Sequence, residues 1–129
     1  MAFGIIKADT LTHSTAGSVG TDFVVQGSAK AWSNYTSSTT TSYRDSHNFT
    51  SIIDDEPGVT THSFVSSMAN NDYSVSTSAS AVETGTGSLG GTDHARNYTT
   101  SSFKHVTATG AAALTDRPHI NNQVCGDLA

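Results

Sequence analysis

The clearest pattern of polar and apolar positions along this chain is that of a β-hairpin. The segment DDEPG at Asp54–Gly58 predicts a turn, because proline fixes φ and glycine permits positive φ. In the following segment, Val59–Val65, side chains alternate, with Thr60, His62 and Phe64 on one face of the predicted strand. The second arm of this hairpin therefore carries a mixed polar and aromatic face.

Several other short segments have the composition or the alternation of β-strands. They are Thr21–Asn34, Ser42–Ile53, Tyr73–Ser78, Tyr98–Val106 and Ile120–Val124. No segment longer than about ten residues combines helical periodicity with start and stop signals. Roughly six to eight short strands at this spacing predict an all-β fold, either a β-sandwich or a jelly-roll-like domain.

The stretch GSAKAW at Gly27–Trp32 ends in the only tryptophan of the chain. It follows the apolar residues Phe23–Val25, and the alternation after Gly27 continues the strand predicted there. A large aromatic side chain at the end of such a strand is predicted to anchor the core. The alternative is that Trp32 forms an exposed platform for a ligand.

The two ends of the chain differ in character. Residues 1–20 contain a short apolar patch and then small polar residues, which predicts an extended N-terminal attachment arm with at most one short strand. Residues 21–129 form the predicted head domain. The first residues lack the basic start and apolar run of a secretory signal, so the mature chain is expected to begin near Met1. No apolar run approaches the ~18 residues of a membrane span, which argues against membrane insertion.

The segment Glu83–Asn97 is rich in glycine and polar residues and has no apolar rhythm. It is predicted to be an exposed loop, and with the adjacent Tyr98 it is a candidate contact surface, since long loops in compact domains are often functional. The alternative is that this loop is only a solvated connection.

Composition limits the size of the core and the kinds of partner. Leu, Ile, Val and Phe make up roughly 18 per cent of the 129 residues, whereas Ser and Thr make up roughly 30 per cent. So few large apolar side chains favour an oligomer, which would add buried area. The net charge of −5 and the six scattered Lys and Arg residues argue against nucleic-acid binding.

No pattern of catalytic or metal-binding residues emerges. The six histidines are His13, His47, His62, His94, His105 and His119. None lies at a metal-ligand spacing, so they are predicted to be single histidines, some of them half-buried in strands. The single Cys125 excludes an internal disulfide. The acidic run Asp54–Glu56 lies in a turn and is expected to be solvated. We therefore predict no enzyme activity, no cofactor and no metal site.

The order of several motifs resembles a family of tail-fibre-like proteins from bacteriophages of marine and freshwater bacteria. The similar stretches are GSAKAW, then YRDSHNFTSIIDDEPGVTTHSFVSSMANNDYSVSTSA, and finally a terminal strand closing with GD. The resemblance covers Gly27 to about Ser80 and touches Ile120–Asp127. Where the family usually has apolar residues, this chain has Thr60 and His62, and near its end Asn122 and Cys125 are more polar or smaller than the family pattern. These departures predict that the positions face a subunit interface or a wet axis.

The resemblance implies an all-β homotrimer displayed on the exterior of a virion that is assembled in the host cytoplasm. Its expected role is in a tail fibre or tail appendage that contributes to host attachment, with the N-terminal arm docked on other virion proteins and a host surface glycan as a possible ligand. No receptor-binding residue is carried over from the family. The alternatives are a capsid decoration or cement protein, and a bacterial carbohydrate-binding or adhesin module.

Overall fold

The computed structural model describes residues 7–80 and 93–129, and these residues form ten strands and one short helix. In chain order the elements are β1 Thr10–His13, β2 Gly17–Gly20, α1 Thr21–Gly27, β3 Ala31–Thr36, β4 Ser42–His47, β5 Phe49–Glu56, β6 Val59–Phe64, β7 Ser74–Ser80, β8 Asp93–Arg96, β9 Ser102–Thr107 and β10 His119–Cys125. The prediction of an all-β fold is confirmed.

The strands form three antiparallel sheets. The first sheet has the order β4-β3-β10-β7, and the second sheet has the order β5-β6-β9-β8. A separate two-stranded sheet pairs β1 with β2. In the first sheet the last strand of the chain, β10, lies between β3 and β7, so its formation needs partners from much earlier in the sequence.

The first and second sheets pack face to face in a sandwich-like arrangement. The hydroxyl of Tyr35, on β3 of the first sheet, lies 2.8 Å from Thr60 Oγ1 and 2.9 Å from His105 Nδ1, both on the second sheet. Strict alternation along β3 and β10 places every second side chain between the sheets. The two sheets therefore share one layer of buried side chains.

That buried layer is divided into an apolar part and a polar part. The apolar part consists of Ala31, Phe49, Phe64, Met68, Tyr73, Phe103 and Val124. Its aromatic rings pack closely, as in the stacked pair Phe49 and Phe64 with ring centroids 5.4 Å apart. The polar part is built around Tyr35, Thr60, His62, His105 and Asn122, all at most 2 % exposed. Hydrogen bonding therefore supplements the scarce apolar burial.

The hairpin predicted around DDEPG is confirmed as β5 and β6, but the turn is shorter than predicted, because Asp54–Glu56 continue β5 and only Pro57 and Gly58 form the turn. Gly58 has a φ of 73°, which glycine adopts without steric cost, and its carbonyl accepts a hydrogen bond of 2.8 Å from the Thr107 amide. The inward face of β6 carries Thr60, His62 and Phe64. The expectation that Thr60, His62 and Asn122 face a subunit interface or a wet axis was wrong, because all three side chains are buried between the two sheets of the same chain.

The N-terminal region differs from the prediction in two ways. Residues 10–20 form the hairpin β1–β2 rather than an arm with at most one short strand. Residues 21–27, predicted as the start of a strand, form the helix α1. Three consecutive apolar residues, Phe23–Val25, have neither a helical nor a strand period, so local pattern does not decide between the two. No residue of α1 is buried.

Two further strand boundaries were predicted wrongly. The segment Ser42–Ile53 is divided at Asn48, whose φ of 58° lets the chain leave β4 in the first sheet and enter β5 in the second. Asp93–Arg96, predicted as part of an exposed loop, forms β8 and pairs with β9. The remainder of that loop through residue 92 lies outside the described residues.

Candidate functional site

The outward face of the first sheet carries a regular array of amide, hydroxyl and indole groups. Antiparallel pairing aligns Trp32 with Gln123 and then with Ser76 across three strands. The next outward row aligns Asn34 with Asn121 and then with Ser78. Directly paired residues lie on the same face of a sheet, so these six side chains form two parallel polar rows.

A shallow groove with a volume of about 490 Å³ lies over these rows. It is lined by residues 32–34 of β3, 76–78 of β7 and 121–123 of β10. We call it the Trp32 groove. Its volume falls within the usual range of sites for small ligands, about 300–1,000 Å³.

Trp32 is 40 % exposed at this groove, so the prediction that it anchors the core was wrong. Ala31 points inward instead and belongs to the cluster that already contains Phe49, Phe64 and Phe103. Where these aromatic rings fill the space between the sheets, β3 has room for a small side chain. The indole consequently lies on the solvent side, which is the exposed-platform alternative.

Hydrogen bonds order one of the two polar rows. Asn34 Nδ2 donates to Asn121 Oδ1 at 2.7 Å, and Asn121 Nδ2 donates to Ser78 Oγ at 3.4 Å. In the other row, within the part of the chain that the structure describes, no hydrogen bond involves the side chains of Gln123, Ser76 or Trp32. One row is therefore held in a fixed orientation, while the other keeps its donors and acceptors available to a ligand.

Among the described residues, none that lines the groove is charged. At its margin, on the edge strand β4, Asp45 pairs with Asn34 and His47 pairs with Trp32. Arg44, next to Asp45 on β4, is also exposed, and its guanidinium donates to the Pro118 carbonyl at 2.9 Å. The described lining is therefore neutral, and the margin along β4 carries an acidic and a basic side chain.

Beneath the groove, a chain of hydrogen bonds fixes the tautomers of two buried histidines. The Tyr43 hydroxyl donates to the Ser51 carbonyl at 3.0 Å, so at its 2.9 Å contact with His62 Nδ1 it accepts. His62 is then protonated on Nδ1, and its Nε2 accepts from Thr60 Oγ1 at 3.0 Å. Asn122 Nδ2 approaches the same Nε2 at 3.5 Å, which fits an acceptor there.

The chain of hydrogen bonds continues from Thr60 to the second histidine, His105. Since the Thr60 hydroxyl donates to His62, it accepts from the Tyr35 hydroxyl at 2.8 Å. The Tyr35 hydroxyl in turn accepts from His105 Nδ1 at 2.9 Å. Each hydroxyl thus donates once and accepts once, and the chain runs in one direction from His105 to the Ser51 carbonyl. We call this chain the buried histidine network.

Burial shifts the ionisation of the groups in this network. Burial lowers the pKa of His62 from 6.5 to about 3, with a further contribution from nearby His105. It also lowers the pKa of His105 to about 4. Burial raises the pKa of the Tyr35 and Tyr43 hydroxyls. All four groups are therefore neutral near pH 7, as the hydrogen-bond directions require.

The buried histidine network supports the strands that carry the groove. Tyr35 and Asn122 point inward from β3 and β10, while their neighbours Asn34 and Asn121 point outward into the Trp32 groove. Because the inward groups are tied to the second sheet, the outward rows are held at a fixed position. The network was not predicted: the histidines were expected to be single, some of them half-buried in strands, whereas His62 and His105 are 0 % and 1 % exposed and belong to one network.

Of the surfaces singled out from the sequence, the described residues do not line the groove. Of the candidate loop, residues 83–92 lie outside the described residues, and Asp93–Arg96 is a strand of the second sheet. Tyr98 packs its ring on Tyr73, with centroids 5.1 Å apart. In the acidic run, Asp55 forms an ion pair of 3.1 Å with Lys104, and Glu56 lies 3.9 Å from Arg96.

Residues 7–80 and 93–129 contain neither a cluster of metal-ligating side chains nor a long apolar helix. In this part of the chain, no group of three or more His, Cys, Asp or Glu side chains is arranged to hold a metal ion. None of its helices has the length and apolar character needed to cross a membrane. Two other grooves, of about 410 and 470 Å³, lie along residues 7–25, whereas the Trp32 groove lies on the first sheet of the sandwich.

Comparison with known proteins adds no family assignment. No protein-family model matches the chain, no curated protein matches it, and no solved structure matches it. The resemblance to phage tail-fibre-like proteins therefore stays a prediction. The function has to be inferred from the sequence and from the geometry of the Trp32 groove.

Proposed function

We propose that this chain is an attachment protein on the exterior of a bacteriophage virion, in a tail fibre or tail appendage, with no catalytic activity. The observation that carries the proposal is the Trp32 groove. A rigid sheet face with one exposed indole, aligned amides and hydroxyls, and no charged lining is suited to recognising a surface polymer without chemically changing it. The motif order of the sequence supplies the phage context.

We also propose that the protein is a homotrimer anchored through its N-terminal region. Five large apolar side chains of that region are exposed, namely Leu11, Val19, Phe23, Val24 and Val25. A two-stranded hairpin and a seven-residue helix bury too little surface to be stable alone, so a protein surface covering them would stabilise the region.

The trimer has a direct test. Light scattering of the purified protein at micromolar concentration should give three times the 13.4 kDa chain mass. Double substitution of Phe23 and Val25 by serine should lower that mass if these side chains lie at the subunit contact, and an unchanged trimer would place the contact elsewhere. A mass of one chain for the unsubstituted protein would overturn the trimer proposal.

The location of the protein in a particle tests the attachment role. Gold-labelled antibody should mark a few copies at the tail in electron micrographs of the phage. Labelling spread over the capsid in hundreds of copies would replace the tail proposal with the capsid decoration alternative. Absence from particles would overturn the virion role and favour a bacterial carbohydrate-binding or adhesin module, which the same groove would also suit.

A further inference from the structure

The indole of Trp32 is the most distinctive feature of the Trp32 groove. It is the only tryptophan in the chain, and its exposed part lies among polar side chains rather than beside other large apolar ones. A flat apolar ring framed by amides and hydroxyls matches the chemistry of a pyranose sugar, which has C–H bonds on one face of the ring and hydroxyls around its rim. Stacking of the two faces would remove apolar surface from water on both sides.

The polar groups beside the indole also match a sugar. The side-chain amide of Gln123 and the hydroxyl of Ser76 each donate and accept hydrogen bonds, as sugar hydroxyls do. The row behind them, Asn34 and Asn121, is pre-ordered by its own 2.7 Å hydrogen bond. A ligand that meets ordered partners loses less conformational freedom at the interface, which favours affinity.

The dimensions of the two side-chain rows limit how much of a ligand can contact the Trp32 groove. Neighbouring strands lie about 4.8 Å apart, and side chains on one face of a strand repeat every ~6.8 Å. Three strands and two rows therefore cover about 10 Å by 7 Å. This area accommodates one or two sugar rings, with the remainder of a longer chain extending into solvent across the shallow groove.

The absence of charge in the described lining of the groove favours neutral saccharides over acidic ones. The described lining has no lysine or arginine to pair with a carboxylate or sulfate. The margin along β4 carries Asp45 beside Arg44, whose guanidinium donates to the Pro118 carbonyl. An acidic sugar placed in the groove would lose hydration without gaining a cationic partner from the lining. Neutral sugars do not have this cost.

We propose that the Trp32 groove binds one or two units of a neutral saccharide of a bacterial surface polymer, with one sugar ring stacked on Trp32 and its hydroxyls bonded to Gln123, Asn121 and Ser76. This inference rests on the proposed attachment function and adds the ligand class. Trp32 contributes the stacking surface, and the amides orient the ring.

Intrinsic fluorescence gives a direct readout, because all tryptophan emission comes from the groove. The probes are soluble trisaccharides of glucose, galactose, mannose and N-acetylglucosamine, and a galacturonate trisaccharide as the acidic counterpart. We expect at least one neutral trisaccharide to shift or quench the emission saturably at millimolar concentration, and the galacturonate probe to bind at least tenfold more weakly. No response to any neutral probe, or preference for the acidic one, would overturn the inference.

Variants test whether the groove itself is responsible. By isothermal titration with the responding trisaccharide, Trp32→Ala should weaken binding at least tenfold and Gln123→Ala several-fold. Trp32→Phe, which keeps a smaller stacking ring, should lie between Trp32→Ala and the unsubstituted protein. Ile53→Ala is the matched control, since this exposed apolar side chain lies on the second sheet. Unchanged affinity in Trp32→Ala would overturn the inference.

Two outcomes distinguish this inference from the attachment proposal. Retention on host envelopes that is equal for the unsubstituted protein and Trp32→Ala, with no saccharide response, would overturn the saccharide site and leave the attachment role standing. Saturable saccharide binding by a protein that is absent from phage particles would support the saccharide site and overturn the attachment role in the virion. If purified surface polysaccharide competes with the free trisaccharide, the saccharide that the groove binds belongs to that polymer. Failure of the polysaccharide to compete would overturn the assignment of the ligand to a bacterial surface polymer.

Discussion

Lowering the pH from 7 to 4 is expected to destabilise this protein by several kcal/mol through two histidines. His62 and His105 have ordinary pKa values of 6.5 in the unfolded chain, but burial lowers them to about 3 and about 4 in the fold. Between pH 6.5 and the lower pKa values of the folded state, these histidines bind protons in the unfolded chain but not in the folded one. Stability is therefore fully present above pH 6.5 and falls as the pH decreases, by on the order of 3 kcal/mol per histidine at pH 4.

The pH effect can be separated from the protonation of carboxylates by substitution. Urea denaturation at several pH values should show a steep loss of stability for the unsubstituted protein and a shallower loss for His62→Gln and His105→Gln, since glutamine hydrogen-bonds without titrating. His47→Gln, at an exposed position of β4, is the matched control and should keep the steep profile. An equally steep profile after both buried histidines are replaced would contradict the expectation.

The second large effect is expected at Phe103. This side chain is fully buried, and its ring stacks on His62 with centroids 5.2 Å apart and contacts Phe64 at 5.9 Å. It therefore joins the apolar part of the core to the buried histidine network. Phe103→Ala should lower the free energy of unfolding by about 3–5 kcal/mol, a large share of the ~5–15 kcal/mol typical of a domain.

Denaturation midpoints of three variants make this test specific. Phe103→Leu keeps most of the volume and should cost much less than the alanine variant. Val65→Ala shortens a side chain that is 67 % exposed and should change stability by no more than about 0.5 kcal/mol. A loss below about 1 kcal/mol in Phe103→Ala would mean that the ring is not central to the core.

The parts of the fold that could be predicted from the sequence are those specified by neighbouring residues. Pro57 and Gly58 define the turn between β5 and β6, and the alternation after it correctly places Thr60, His62 and Phe64 on one face. The same holds for β7 and β10, whose period-two patterns are local.

Features that depend on distant partners could not be predicted. Trp32 is exposed because the opposite face of β3 meets an aromatic cluster formed by residues far along the chain, so Ala31 fits there. The groove needs β10 between β3 and β7, and the hydrogen bond between Asn34 and Asn121 joins residues 87 positions apart. A run of hydroxyl and amide residues carries no signal of such pairing.

The buried histidine network illustrates a third case, in which the positions were predicted and the environment was not. The alternation placed His62 on the correct face, but its polar character indicated a wet surface. Only the packing of Tyr43, Thr60 and Asn122 around it supplies the hydrogen-bond partners that make full burial of an imidazole tolerable.

The division of the core into apolar and polar parts affects how stability changes with temperature. Exposure of apolar surface on unfolding raises the heat capacity, whereas exposure of polar surface lowers it. A core in which tyrosine, threonine, histidine and asparagine replace aliphatic side chains exposes less apolar surface and more polar surface on unfolding. The heat-capacity increment of unfolding is then smaller than chain length alone implies. The curve of free energy against temperature becomes flatter, which spreads a modest maximum stability over a broad range and keeps cold denaturation remote.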